Sequence, residues 1–157
     1  VDPSTADTMG DECGITVQGE GLDGHFYLIA DLSGQYTPAE WARVAVGAYH
    51  KYEANLIVAE SNQGGAMVSE MMRNVDPNIK IDLVHAKRGK MLRAEPVAAL
   101  YEDGRVTHLG RFPELEQEMS SFTGDPKEKS PNRLDALVYG FACLTGEKPI
   151  ELSIDIF

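Results

Sequence analysis

Residues 55–60, NLIVAE, followed by 61–65, SNQGG, and 66–75, AMVSEMMRNV, read as a buried strand, a glycine turn and a helix. Four apolar residues in a row, two of them β-branched, suit a strand covered on both faces. The strand ends on the carboxylate of Glu60 just before the turn, the carboxyl-end position where open α/β sheets place their ligands. IDLVH (81–85) reads as the next strand. On the N-terminal side, Thr37-Pro38-x-Glu40 is a capping box with proline at the first helical position. Trp41, Val44, Ala45, Ala48, Tyr49 and Tyr52 follow at helical spacing, so this helix turns an aromatic face to the core. GITVQG (14–19) and HFYLIAD (25–31) are two more strands. Between them Gly19, Gly21 and Gly24 spell a dinucleotide fingerprint, but here the glycines join two strands instead of opening a helix, which makes them a hairpin turn. Beyond residue 90, a helix is expected to start at Pro96 (96–103), then a short strand at 105–110 and a helix at 112–122. A loop at 123–132 leads to a closing helix, RLDALVYGFACLTG, at 133–146. Alternating strands and helices after an initial hairpin give an α/β domain with a mixed sheet.

The 157 residues suit one domain, and residues 147–157 have no clear partner within it. No run reaches the roughly 20 apolar residues of a membrane span. Cys13 and Cys143 form neither a metal motif nor a disulfide framework, a usage that suits a reducing cytosol. There is no GxxxxGK[ST] phosphate loop. The net charge of −11 argues against nucleic acid when taken as a sum, yet residues 80–93, KIDLVHAKRGKMLR, carry a local +4. Lys87, Arg88, Lys90 and Arg93 form a basic strip there, read by itself either as a solvated loop that pairs with surrounding acids or, beside a nuclease site, as a phosphate contact that positions a duplex without reading its bases. His85 and His108 lack metal spacing and read as structural. Gly64-Gly65 either aims backbone N–H groups at an anion or simply shapes the start of the helix.

Three acids stand where structure alone does not need them: Asp2 beside a polar loop, Glu60 at its strand end, and Asp135 beside the apolar stripe of the last helix. Taken singly, Asp2 is a solvated loop residue, Glu60 a helix cap, and Asp135 a partner for Arg133 or Arg93. Brought together they would repel one another unless divalent cations lay between them. Oxygen-only sites of that kind favour Mg²⁺ or Mn²⁺, and two such ions can hydrolyse a phosphodiester. Asp11 or Glu12 could supply a fourth carboxylate. Such crowding predicts at least one raised carboxyl pKa without metal, and a metal-free domain stabilised by Asp135→Asn.

VDPS (1–4), DECGITV (11–17), YLIADLSGQYTPAEWA (27–42), IVAESNQGG (57–65), AKRGKMLRAEPVAALYEDGRV (86–106) and SPNRLDALVYG (130–140) resemble, in order, the C-terminal nuclease domain of phage large terminase subunits. The resemblance implies a ribonuclease-H-like mixed β-sheet flanked by helices, and a two-metal endonuclease that cuts concatemeric double-stranded DNA during genome packaging. It places the catalytic, metal-binding acids at Asp2, Glu60 and Asp135, with the accessory metal-binding acid at Asp11. It further implies two Mg²⁺ or Mn²⁺ ions, an ATPase domain N-terminal to this one in a longer parent chain, and portal protein and small terminase subunit as partners. The place of work it implies is the cytoplasm of the infected or prophage-carrying host. In the family a full apolar strand leads into the first aspartate, whereas here only Val1 precedes Asp2. Two other readings stand beside this one: a resolvase-type nuclease of the same fold, and a non-catalytic docking domain of the packaging motor whose acids are merely solvated.

Overall fold

A computed structural model describes residues 1–3, 12–62, 64–85, 89–125 and 131–146. Asp11, Lys87, Arg88 and the 147–157 tail lie outside the described residues.

The strands among the described residues fall into three small sheets, two of which are joined by the first two residues as halves of one mixed layer. In one half, β2 (Thr16–Glu20) and β3 (Phe26–Asp31) form the expected antiparallel hairpin, bulged between Val17 and Gln18. Its turn closes through Gly21 N–H on the His25 carbonyl at 2.8 Å, with Gly24 at φ +75°, a conformation that glycine adopts without strain. The three glycines are thus a hairpin device and not a nucleotide loop. β7 (Val106–His108) joins β3 in parallel. A small antiparallel pair, β1 (Glu12–Cys13) with β4 (Gly34–Gln35), lies beside this half; neither strand is evident from the sequence. The other half is the parallel pair β5 (Ile57–Glu60) and β6 (Ile81–Val84).

Val1 and Asp2 join the halves. The Val1 nitrogen donates to the Val58 carbonyl at 2.6 Å, and Glu60 N–H donates to the Val1 carbonyl at 3.0 Å. On the other side Asp2 and Gly14 exchange backbone hydrogen bonds of 2.8 and 3.0 Å. Asp2 is thereby fixed next to the end of β5.

The five helices among the described residues cover this sheet. α1 (Pro38–Lys51) begins at the expected capping box, where the Glu40 carboxylate accepts from both the N–H and the hydroxyl of Thr37 at 2.8 Å. With α2 (Gly65–Val75) it encloses a core of Trp41, Ala45, Val46, Val68 and Met72 against Ile57 and Ala59 of β5. A second core gathers Leu28 of β3 with Val97 and Leu100 of α3 (Lys90–Glu102), Leu115 of α4 (Pro113–Ser121), and Leu137 and Phe141 of α5 (Asn132–Thr145). Because strand side chains alternate, Ile57 and Ala59 face the first core while Val58 faces Tyr139 of α5. Glu60, two residues on from Val58, shares that face.

One boundary differs from expectation. α3 starts at Lys90, and Pro96 sits inside it. An interior proline removes one helical hydrogen bond, at a cost of about 3 kcal/mol. Burial of Arg93, Val97 and Leu100 along one face offsets that cost. Gly64 caps α2 at φ +72°, and a Cβ on Gly65 would lie 2.5 Å from Ser61 Cβ. Both glycines are therefore required by the tight turn into the helix.

Candidate active site

The carboxylates of Asp2 and Glu60 share a hydrogen bond, and the charge of Asp135 is felt at Asp2. Burial, that hydrogen bond and the two neighbouring charges push the Asp2 carboxyl up to about 8. An acid raised so far holds its proton at neutral pH unless a cation replaces it. The crowding expected from the three acids is present, and it falls on Asp2.

Asp135 is 7% exposed and ion-paired with Lys90. This corrects the alternative of an arginine partner. Arg133 instead bridges Asp31, at 2.8 Å, and Glu12. Glu12 is thus engaged by Arg133 at the start of α5, and the accessory acid Asp11 lies outside the described residues. Lys90 and Arg93 are one turn apart on α3, as Asp135 and Tyr139 are on α5, so two rungs form between the helices. In one, Lys90 meets Asp135; in the other, the Arg93 guanidinium donates to the Tyr139 hydroxyl and lies 5.0 Å over its ring. The Tyr139 hydroxyl in turn donates to Glu60 Oε1 at 3.1 Å. Burial, with the negative charge of Glu60 next, drives the Tyr139 pKa well above its ordinary value, so this phenol keeps its proton.

Half of the basic strip thus departs from the sequence expectation. Arg93 is 6% exposed and turned inward, and Lys90 is engaged with Asp135. Lys87 and Arg88 lie outside the described residues. Tyr139 is not singled out by the sequence, although it follows Asp135 by one helical turn in a helix buried on nearly every side. His108 is structural, as expected: it bonds the Tyr101 hydroxyl at 2.8 Å and Glu116 at 3.2 Å, tying β7 to α3 and α4.

Among the described residues, no set of three or more His, Cys, Asp or Glu side chains is close enough to hold a metal ion as it stands. The donor chemistry nevertheless fits a hard divalent cation. Asp2 and Glu60 offer only oxygens, and the negative charge of each raises the cost of charging the other, a cost that a cation between them would remove. Asp135 already holds a cation, the Lys90 ammonium.

A mixed sheet flanked by helices, with acids drawn from a strand end, a bridging residue and a helix, defines a ribonuclease-H-like domain. The chain belongs to the terminase RNaseH-like domain family, whose sequence model matches residues 1–143. A search of curated proteins finds no match. The domain therefore corresponds to the nuclease domain of a terminase large subunit, with a nuclease-like role. Among the described residues no helix is long and apolar enough to cross a membrane.

Proposed function

We propose that this domain is a metal-dependent endonuclease that cuts concatemeric double-stranded DNA during viral genome packaging. The observation that carries the reading is that Val1 and Asp2 thread between Gly14 and β5, which sets the Asp2 carboxyl beside Glu60 with the charge of Asp135 felt at it. Asp2, Glu60 and Asp135 would hold Mg²⁺ or Mn²⁺, with Asp11 as an accessory acid. Two such ions, when bound, activate water and neutralise charge on the departing oxygen. The protein's own part is to hold the acids in place: the strand end fixes Glu60, the bridge to Gly14 fixes Asp2, and α5 fixes Asp135. Supercoiled plasmid incubated with Mn²⁺ should be nicked and linearised, and EDTA should stop this. No cleavage over a range of Mn²⁺ concentrations would remove the endonuclease assignment from the isolated domain.

In this reading the ATPase domain of the parent chain, the portal protein and the small terminase subunit are its partners, and the host cytoplasm is its place of work. A co-purification from infected cells that recovers none of the three would contradict that setting. Lys87 and Arg88 are the proposed phosphate contacts, while Lys90 and Arg93 serve the carboxylate site. Neutralising Lys87 and Arg88 together should shallow the log–log salt dependence of DNA binding by about 1.8, at roughly 0.9 per contact. An unchanged slope in a fluorescence-anisotropy titration would place the DNA path elsewhere.

A further inference from the structure

We propose that Tyr139 and Arg93 are positioning residues that fix Glu60 for metal binding; this rests on the reading of Glu60 as a metal ligand. Tyr139 is 1% exposed, among the largest fully buried side chains of the domain. Phenylalanine would fill such a position, as Phe141 does two residues later. A buried hydroxyl is costly to desolvate unless it is hydrogen-bonded, and here it has partners of opposite charge: it accepts from Arg93 and donates to Glu60 Oε1 at 3.1 Å. Arg93 is itself buried, and among the described residues its Nε has no hydrogen-bond partner. A buried guanidinium needs a compensating anion, and the hydrogen bonds lead from it through the phenol to Glu60. The phenol therefore does two things. It restricts the rotamer of Glu60 by binding one carboxylate oxygen, and it carries the influence of the Arg93 charge to that carboxylate without bringing the cation into the place a metal would take. Partners of this kind, standing behind a metal ligand, typically alter metal affinity by about 10–100-fold.

The test is Mn²⁺ affinity measured from the free-ion paramagnetic resonance signal, so that no cleavage is needed. Tyr139→Phe should weaken binding by about 10–100-fold. In a Glu60→Asp background, where the shorter side chain withdraws the carboxylate from the phenol, the same substitution should cost less than about threefold. A merely structural role would cost the same factor in both backgrounds. Arg93→Gln should weaken Mn²⁺ binding and Arg93→Lys should largely restore it; this pair decides the matter if Tyr139→Phe does not fold. Wild-type affinity in Tyr139→Phe, an equal loss in both backgrounds, or no difference between the two Arg93 variants would overturn the proposal. If the unaltered domain binds no Mn²⁺, the metal site itself falls and this proposal with it. If it binds Mn²⁺ and Tyr139→Phe binds equally well, only the positioning role falls.

Discussion

Asp2→Asn is expected to abolish Mn²⁺-dependent cleavage while making the metal-free domain more stable. The amide cannot supply the anionic oxygen that a shared divalent site requires. In EDTA, however, it removes an acid that the fold holds at a raised pKa. The folded value is about 8 against 3.8 for the free side chain. The associated stability is fully present below pH 3.8 and is lost as pH climbs to about 8. Asparagine, which resembles the protonated acid, keeps it throughout. The variant should therefore melt with wild type near pH 4 and above it at pH 8. The expected gain is about 1–2 kcal/mol, which corresponds to about 2–8 °C for a domain of this size. Asp135→Asn should also end cleavage but move stability the other way, because it removes one charge of the Lys90–Asp135 ion pair. This reverses the sequence-based expectation for Asp135, since that carboxylate is paired with Lys90. Thermal melts of both variants in EDTA at the two pH values check it. A destabilised Asp2→Asn at pH 8 would show that the acids are not in conflict.

Gly14→Ala should be among the most damaging single-methyl additions to this fold. A Cβ there would stand 1.9 Å from the Asn132 carbonyl oxygen and 2.6 Å from its carbon, and backbone at the start of a helix cannot step aside as a flexible side chain can. The same glycine exchanges both backbone hydrogen bonds with Asp2. Either α5 moves, taking Asp135 with it, or the bridge holding Asp2 opens. The expected loss is about 2–3 kcal/mol, a fall of about 4–12 °C in melting temperature, with cleavage impaired beyond what unfolding explains. Gly47, exposed inside α1, is the control, since a methyl group added there would meet nothing within 4 Å. Gly47→Ala should raise stability by about 0.5–1 kcal/mol. Equal melting of the two variants would mean that Gly14 is not a point of close approach.

The features legible in the sequence were those set by neighbours in the chain. The capping box of α1 and the apolar run ending at Glu60 rest on contacts a few residues apart, and both are found where expected. Pro96 misled because proline at a helix start is a local preference, whereas its place inside α3 is decided by burial of Val97 and Leu100 against α5, which local preference does not show. The site divides in the same way. Glu60 could be singled out locally, from its position between an apolar strand and a glycine turn. The contact of Asp2 with Glu60 depends on two residues threading between Gly14 and β5, which only the family resemblance suggested in advance. Lys90 and Arg93 read as part of a basic strip because their partners, Asp135 and Tyr139, lie some 45 positions away. Tyr139 left a faint trace: a hydroxyl one turn after an acid, in a helix most of whose residues are apolar.

Whether Asp2, Glu60 and Asp135 form one divalent-cation site is decided by anomalous diffraction from crystals of the domain soaked in Mn²⁺. Anomalous density is expected between Asp2 and Glu60, with Asp135 released from Lys90 to face it. Saturating Mn²⁺ that leaves no density there, with the Lys90–Asp135 pair intact, would contradict the shared site.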